Sequence, residues 1–277
     1  MGCPGIGDDR VMGTDRRRLF DHAAFEAGAL AALRAGRSIS VCLPARDEER
    51  TVGAIVTAVR RALTTEGGGV DLVDEVLVVD DGSVDGTAAV AAAAGARVVA
   101  GDGTGGGKGR ALQVALAESH GDLLVFLDAD VENFAAHYVT GLLGPLLSDD
   151  DVALVKGYYE RPVDGDPSGG GRVTELVARP VIDLLFPHLA GIRQPLAGES
   201  AVPRSVLEKS GLDPGYGIEL GLLIDVADRF GVEAVAQVDL GARIHRNRPL
   251  AELRHEATDV LRAALVRDAG GPRPRRR

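Results

Sequence analysis

The segment LLVFLDAD, residues 123–130, decides the fold class of this chain. Five consecutive apolar residues predict a strand that is buried on both faces, which is typical of a parallel sheet. Residues at i and i+2 of an extended segment project to the same side, so we expect the carboxylates of Asp128 and Asp130 to converge. In open parallel sheets, ligands bind at the carboxyl ends of the strands. The segment therefore predicts an α/β fold with an acidic site where this strand ends.

Units of strand, loop and helix recur along the chain. Short apolar runs alternate with longer runs whose apolar residues have helical spacing, which predicts a mostly parallel, Rossmann-like sheet flanked by helices. No long linker separates the apolar segments of the second half, which is therefore expected to elaborate the same sheet. Besides the central strand, strands are predicted over 38–43, 75–79, 97–99, 152–159, 200–202 and 234–240. Helices are predicted over 19–33, 51–63, 87–94, 109–119, 138–147, 173–185, 218–230 and 250–265.

Composition limits the class of protein. The chain has 277 residues, of which 45% are hydrophobic and 26% charged, as in ordinary globular proteins. Its net charge of -10 argues against a broad nucleic-acid-binding surface. Two cysteines, Cys3 and Cys42, are too few for a disulfide framework or a cysteine-rich metal site. Because no charge-free apolar stretch approaches 18 residues and no signal peptide is recognisable, we expect a soluble cytoplasmic protein without membrane insertion.

Two familiar nucleotide-binding motifs are absent. The turn after the predicted strand 38–43 reads PARDEE, residues 44–49. A dinucleotide-binding fold would carry G-x-G-x-x-G at this place. The glycine loop 101–109 has Asp102 where a P-loop needs its first glycine, and Lys108 is followed by glycine rather than serine or threonine. Two interpretations remain for this loop: a flexible turn, or a hinge that places Lys108 on a nucleotide phosphate or base.

Acidic pairs follow two of the predicted strands. Asp128 and Asp130 offer the hard oxygen ligands that suit Mg²⁺ or Mn²⁺ carrying a diphosphate. A solvated turn is the alternative, but their position after a buried strand favours the metal site. Asp80 and Asp81 follow another strand, and because adjacent side chains point to opposite faces, at most one of them should touch a ligand.

Three features of the second half allow both a functional and a structural interpretation. Segment 169–175 places glycines, Arg172 and Thr174 at a helix start, which forms either an anion site or an ordinary capped helix. Glu219 begins another helix, where a carboxylate is often only structural. His245 has polar neighbours, although a lone histidine is usually not a ligand, and the other histidines, His255 among them, are interpreted as surface or helix-packing residues.

The order of the motifs carries a resemblance to a known family. LPARDEE at 43–49, VDDGS at 79–83, GKG at 107–109 and DAD at 128–130 resemble the GT-A glycosyltransferases. GGGRVTELVARP at 169–180, PGYGIE at 214–219 and HRNRPL at 245–250 are similar to the glucosyl-3-phosphoglycerate synthase family. The likeness extends from about residue 20 to about residue 266.

This resemblance implies a retaining glycosyltransferase with a GT-A fold. The family transfers glucose from UDP-glucose to the 2-hydroxyl of 3-phosphoglycerate, an early step of glucosylglycerate and methylglucose lipopolysaccharide synthesis. It further implies a need for Mg²⁺ or Mn²⁺ and a homodimer. We expect one catalytic domain over 19–266, with a nucleotide-sugar half at 38–130 and an acceptor-side elaboration at 131–266. Residues 1–18 are expected to be a disordered leader and residues 267–277 a basic disordered tail.

The resemblance also implies roles for individual residues. The donor would be bound by Pro44, Ala45, Arg46, Glu48, Asp81, Lys108, Asp128 and Ala129. The metal would be held by Asp130 and His245, and the catalytic residues would be Asp130, Glu219 and the backbone of Leu196, the last two at the glucose. Phosphoglycerate would be bound by Gly171, Arg172, Val173, Thr174 and Asn247.

Some positions depart from the family pattern, and other functions share the sheet. Asp47 stands where the family usually has asparagine, and Asp81 where a small hydroxyl residue is common, so an added negative charge is expected to bear on base affinity or donor choice. The alternatives are a GT-A transferase with another sugar nucleotide or acceptor, a nucleotidylyltransferase, and a non-catalytic nucleotide-sugar-binding module. A nucleotidylyltransferase normally carries a long Gly-rich loop with Arg and Lys after its first strand, where this chain has acids.

Overall fold

The computed structural model describes residues 18–101, 107–160, 171–244 and 250–270, and eight strands within them form one sheet. The strands are β1 (Arg18–Asp21), β2 (Ile39–Ala45), β3 (Glu75–Asp80), β4 (Arg97–Ala100), β5 (Leu123–Phe126), β6 (Leu154–Glu160), β7 (Ser200–Pro203) and β8 (Val235–Ala242). Their order is β1-β8-β6-β7-β5-β2-β3-β4. β7 is antiparallel to β5 and β6, and the other pairs are parallel.

Helices cover both faces of this sheet. They are α1 (Ala27–Leu33), α2 (Val52–Leu63), α3 (Thr87–Ala93), α4 (Lys108–Glu118), α5 (His137–Ser148), α6 (Arg179–Leu185), α7 (Arg204–Leu207), α8 (Ile218–Phe230) and α9 (Leu250–Gly270). A π-helical turn, Thr174–Ala178, leads into α6, and short 3-10 turns occur at His22–Ala24, Pro187–Leu189 and Val232–Ala234. Among these described helices, none has the length and apolar character needed to cross a membrane.

Alternate residues of the central strands pack into two different apolar layers. In β2, Val41 and Leu43 belong to the layer that contains α1, α2 and α5, whereas Cys42 belongs to the layer that contains α4, α6 and α8. In β3, Val78 belongs to the first of these layers and Val79 to the second. All five side chains are fully buried, which explains why these strands are continuous apolar runs in the sequence. The mostly parallel sheet flanked by helices confirms the predicted fold class.

The N-terminal segment differs from the prediction. Residues 19–21, predicted as the start of a helix, belong to β1, and α1 begins only at Ala27. β1 pairs in parallel with β8, with Phe20 opposite Val238. Because this partner strand lies near the other end of the chain, the local Ala and Leu spacing could not reveal it.

The last helix is longer than predicted. α9 continues to Gly270, beyond the predicted end at residue 265, so the first residues of the expected tail are helical. Arg267 forms ion pairs with Asp225 of α8 and with Asp213, each at 2.7 Å. These two pairs fasten the last turn of α9 to the body of the protein. Residues 1–17 and 271–277, the rest of the predicted leader and tail, lie outside the described residues.

Candidate active site

A cavity of about 670 Å³ opens where β2, β3 and β5 end. Parallel strands place their carboxyl ends on one side of the sheet, so the loops that follow them meet there. The described site residues predicted from the sequence all line this cavity: Pro44, Ala45, Arg46, Glu48, Asp81, Lys108, Asp128, Ala129, Asp130, Gly171, Arg172, Val173, Thr174, Leu196 and Glu219. His245 and Asn247, the remaining two, lie outside the described residues.

The turns after β2 and β3 are joined by two hydrogen bonds of Asp47, the residue that stands where the family usually has asparagine. Asp47 has a left-handed backbone with φ 57°, and its Oδ1 accepts the N–H of Val84 at 2.8 Å. Its own N–H donates to Ser83 Oγ at 3.0 Å. Asparagine tolerates the same conformation and can accept the same bond. The added charge of Asp47 therefore lies in a supporting turn and not among the residues that line the cavity.

Of the adjacent acids Asp80 and Asp81, only Asp81 lines the cavity. Asp80 stabilises the following turn, because its Oδ1 accepts the N–H of Ser83 at 3.0 Å. Asp81 is buried, and its N–H donates to the carbonyl of Ala45 at 2.9 Å, which joins the ends of β2 and β3. The pair divides as expected for neighbouring residues that point to opposite faces.

Lys108 is the first residue of α4 and forms part of the cavity floor. Its Nζ forms ion pairs with Asp128 and, at 2.8 Å, with Glu219 Oε1. Burial alone lowers the pKa of Lys108, but the two carboxylates outweigh it and raise the pKa well above its usual value. A Cβ at Gly198 would collide with both Nζ and the Asp128 carboxylate, so only glycine permits this close approach. Lys108 thus links the carboxylate of Asp128, after β5, to that of Glu219, in the first turn of α8.

Arg243 brings the two carboxylates of the D-x-D segment together. Its Nη2 lies 2.6 Å from Asp130 Oδ1 and 2.9 Å from Asp128 Oδ2. Burial alone would raise the pKa of Asp128, whereas Lys108 and Arg243 hold it far below its usual range. The predicted convergence of Asp128 and Asp130 is therefore present, around a cation that the sequence analysis missed. A signal for it existed, since Arg243 follows directly on the carboxyl end of β8.

Glu199 and Tyr159 hold Arg243 from the side away from the D-x-D segment. The Arg243 Nη1 lies 2.9 Å from Glu199 Oε1 and donates to the Tyr159 hydroxyl at 2.6 Å. That hydroxyl in turn donates to Glu199 Oε2 at 2.8 Å. Glu199 is fully buried, and burial raises its pKa against the attraction of Arg243. Glu199 could not be predicted from the sequence, because it precedes the antiparallel strand β7 and belongs to no motif.

Another part of the cavity lining is the helix start at Gly171, which the sequence predicts. Gly171 has φ 81°, and the two residues after it are helical and lead into the π-helical turn. The first N–H groups of a helix have no partners within the helix, and the helix dipole makes this end positive. Arg172 is exposed and Thr174 buried, and both line the cavity. This wall therefore offers directed donors to an anion.

Helix α9 closes the cavity from the C-terminal side. Asp259 is buried, and its carboxylate accepts the N–H of Tyr216 at 3.1 Å and an N–H of Arg262 at 2.7 Å. Gly215 permits this contact, because a Cβ there would collide with the Asp259 carboxylate. His255, predicted to be a surface or helix-packing residue, is exposed but lines the cavity.

Lys156 is almost completely buried, close to the charges of Glu219, Lys108 and Asp128. Its Nζ donates to the carbonyl of Ala197 at 2.5 Å and so fixes the backbone beside Leu196. Burial lowers the pKa of Lys156 to about 8, although the charge of Glu219 acts in the opposite direction.

We expect the protein to gain stability relative to a Lys156→Met variant as the pH rises from about 8 to about 10, because the ordinary pKa of lysine is about 10.4. In this window the unfolded chain binds a proton that folded Lys156 has lost, so the free energy of unfolding rises with pH. One unit of pKa difference is worth about 1.4 kcal/mol, so the gain should reach about 2 kcal/mol. Denaturant titrations of both proteins across this range measure it, and a difference that does not vary with pH would contradict it.

The carboxylates of Asp128 and Asp130 fit a hard divalent cation. Proteins commonly bind Mg²⁺ through one or two carboxylates together with substrate phosphates and water. Asp130 is 22% exposed and lines the cavity, so a metal that carries a diphosphate could reach it. Within the described part of the chain, no group of three or more His, Cys, Asp or Glu is placed to hold a metal by itself. The two carboxylates suit a metal that takes further ligands from substrate phosphates and water.

Comparison with known proteins yields close relatives over most of the chain. The family described as glycosyl transferase family 2 matches residues 40–190. Glucosyl-3-phosphoglycerate synthase of Mycolicibacterium paratuberculosis is 46% identical over 263 residues, which are 90% of this chain and 78% of the relative.

Solved structures agree with this result. The structure of Mycobacterium tuberculosis glucosyl-3-phosphoglycerate synthase in complex with phosphoglyceric acid has a TM-score of 0.82 and 42% identity, covering 93% of this chain and 89% of the other. A second structure of that protein, in complex with Mn²⁺, UDP-glucose and phosphoglyceric acid, has a TM-score of 0.78 and 44% identity, covering 88% and 84%.

Proposed function

The chain belongs to glycosyl transferase family 2 and, within it, to the glucosyl-3-phosphoglycerate synthases, and we propose that it transfers glucose from UDP-glucose to the 2-hydroxyl of 3-phosphoglycerate with retention. One observation carries the proposal: the described residues implied for donor, glucose and acceptor all line a single cavity. One relative, the Mycobacterium tuberculosis protein, binds UDP-glucose, phosphoglyceric acid and Mn²⁺ in one complex, which supports the same set of ligands here.

The donor end of the cavity lies over β2, β3 and β5. We assign the uridine to five residues that line this end of the cavity, namely Ala45, Arg46, Glu48, Asp81 and Lys108. Asp130, with His245, would hold Mg²⁺ or Mn²⁺ beside the diphosphate. When bound, the metal neutralises the charge that develops as UDP leaves. Lys108 and Arg243 keep Asp128 ionised and in place through their ion pairs.

The glucose would lie between Glu219 and the backbone of Leu196. Glu219 is the second residue of α8, and its Oε1 lies 2.8 Å from Lys108 Nζ, so its carboxylate is fixed in position and largely shielded from solvent. The hydrogen bond from Lys156 to Ala197 fixes the adjacent backbone. These two groups can orient the sugar ring and stabilise positive charge near the reacting carbon.

We expect Glu219→Gln to lower kcat by about two orders of magnitude, the size seen when one transition-state contact is lost. The affinity for UDP-glucose should change far less, because the uridine contacts lie over other strands. Steady-state kinetics with calorimetric donor binding separates the two effects, and Glu208→Gln, at an exposed position, serves as the matched control. Equal losses in donor affinity and kcat would instead make Glu219 a positioning residue for the whole donor.

The acceptor would bind at the helix start that follows Gly171. The protein carries a net charge of -10, so long-range attraction cannot hold phosphoglycerate. Affinity must come from close donors: the N–H groups at the helix start, Arg172, Thr174, and Asn247 from the later loop. The short 3-phosphoglycerate anion matches this local arrangement.

Arg172→Ala should weaken phosphoglycerate by about one to two orders of magnitude, because a charge-assisted hydrogen bond contributes about 1.5 to 3 kcal/mol. UDP-glucose affinity should stay within about twofold, since the donor contacts are unchanged. Acceptor-saturation kinetics measures the first and calorimetry the second. Arg61→Ala, at an exposed position in α2, controls for loss of one positive charge. An unchanged acceptor constant would reject the site.

We further propose a cytoplasmic homodimer. Four leucines are exposed to between 40% and 75%, namely Leu176, Leu184, Leu261 and Leu265. They lie on the segment 174–185 and on α9, which pack against each other. A second copy of the chain that covers this face would remove the apolar side chains from water.

The proposal is tested by following UDP release from UDP-glucose in the presence of Mg²⁺. Release should require 3-phosphoglycerate, and uncharged glycerol should not replace it. Release with glycerol alone would reject the acceptor class. Formation of UDP-glucose from UTP and glucose 1-phosphate would favour a nucleotidylyltransferase, and binding of UDP-glucose without turnover would favour a binding module.

A further inference from the structure

We propose that Arg243 competes with the divalent metal for Asp130, so that the metal binds tightly only together with a nucleotide diphosphate. The inference rests on the proposed function, because it takes Asp130 as a metal ligand. It concerns how this chain's own side chains set the affinity of that site.

The competing contact is between a guanidinium nitrogen and the carboxylate itself. Arg243 Nη2 lies 2.6 Å from Asp130 Oδ1, and the same nitrogen lies 2.9 Å from Asp128 Oδ2. Charge-assisted bonds of this length are the strong ones in proteins. A metal that binds Asp130 must therefore compete with Arg243 for the carboxylate. The positive charge of Arg243 also repels the metal.

Arg243 cannot leave the site to make room. Its side chain is 3% exposed, and Glu199, which is 0% exposed, lies 2.9 Å from its Nη1. Withdrawal of Arg243 would leave the buried charge of Glu199 without a cation, which is costly in a protein interior. The Tyr159 hydroxyl, which bonds to both Arg243 and Glu199, fixes the same position. The guanidinium thus stays beside the D-x-D segment whether or not a metal is bound.

The charges around Asp130 are already nearly balanced in the described residues. Asp128, Asp130, Glu199 and Glu219 contact Lys108 and Arg243 directly, and Lys156 lies beneath them. A divalent cation that binds without a nucleotide would give this cluster an excess of positive charge. A diphosphate that arrives with the metal supplies the missing negative charge and also attracts Arg243. Linkage then requires metal and nucleotide to raise each other's affinity.

The test is Mn²⁺ binding, read from the electron paramagnetic resonance signal of free Mn²⁺, with and without UDP and in the absence of any turnover. Arg243→Gln should bind Mn²⁺ about tenfold or more tightly without UDP, because a repelling charge is removed. The same variant should lose most of the enhancement by UDP. Glu199→Gln should weaken Mn²⁺ binding, because Arg243 then has one fewer anion and pairs more strongly with Asp130. A purely structural role of Arg243 predicts weaker binding in both variants.

Two controls keep the outcomes distinct. The double variant Arg243→Gln, Glu199→Gln leaves no unpaired buried charge, so it should fold if the single variant does not, and it should still bind Mn²⁺ more tightly than the wild type. Asp130→Asn should abolish Mn²⁺ binding in the presence of UDP.

If Asp130→Asn abolishes binding while both Arg243 variants bind Mn²⁺ no more tightly than the wild type, the competition is refuted and the metal site stands. If Asp130→Asn binds like the wild type, the metal site of the proposed function is wrong and the competition falls with it.

Discussion

Replacing Asp130 with asparagine should lower the rate of glucose transfer by about three orders of magnitude, which corresponds to about 4 kcal/mol in the activation barrier. The reason is the loss of a charged metal ligand beside the leaving diphosphate, where a bound cation contributes several kcal/mol. The fold should persist, because Asp130 is 22% exposed and Arg243 keeps its ion pairs with Asp128 and Glu199. Initial rates at saturating Mg²⁺ measure the loss of activity, and a thermal melt measures whether the fold persists.

Glu132→Gln is the matched control for this variant, since Glu132 is an exposed acid two residues along the chain and does not line the cavity. It should keep wild-type activity and stability. Full activity of Asp130→Asn, or full activity of the wild type in excess chelator, would contradict the assignment of Asp130 as a metal ligand.

Replacing Gly109 with alanine should lower the free energy of unfolding by about 2 to 3 kcal/mol, as overpacking of a tight contact does. A Cβ there would collide with the carbonyl of Asp213 and lie 2.8 Å from that of Gly215. The start of α4 and the 213–215 turn are joined by two bonds, from the N–H of Gly109 to Gly215 O at 3.2 Å and from the N–H of Arg110 to Pro214 O at 2.8 Å. Activity should fall as well, because Lys108 is displaced with the helix start.

Denaturant titration and initial rates measure the two effects, and Gly28→Ala in α1 is the control. The nearest atom to a Cβ at Gly28 is a flexible Glu26 carboxylate oxygen at 3.3 Å, so alanine should be tolerated or slightly stabilising. Equal stability of the two alanine variants would contradict the close contact at Gly109.

Elements whose partners are local or continuous in the sequence could be predicted. The sequence predicts a helix over 218–230, and α8 (Ile218–Phe230) has these bounds, because its apolar residues recur at helical spacing between Gly217 and Gly231. β5 and the D-x-D segment could be placed because a strand buried on both faces is a continuous apolar run. The helix start after Gly171 could be predicted because glycine is among the residues that occur at helix N-caps, and Arg172 and Thr174 follow it at the start of an apolar helical pattern.

Contacts between distant parts of the chain could not be predicted from spacing. Arg243 and Glu199 meet only because β8, β6 and β7 are neighbours in the sheet, an order that no local pattern specifies. Arg243 does carry one signal in the sequence, because it is a polar residue at the carboxyl end of β8, as Asp128 is after β5. His255 lines the cavity although it was expected to be a surface or helix-packing residue. The periodicity of a helix indicates which residues share a face, but not which cavity that face borders.

The central claim is tested most directly by nuclear magnetic resonance of the product formed from UDP-glucose, 3-phosphoglycerate and Mg²⁺. The account predicts a glucosyl-3-phosphoglycerate in which the glucose is attached to the 2-hydroxyl and keeps the α configuration that it has in the donor. A β-linked product, or glucose attached to any acceptor other than 3-phosphoglycerate when both are offered, would contradict it.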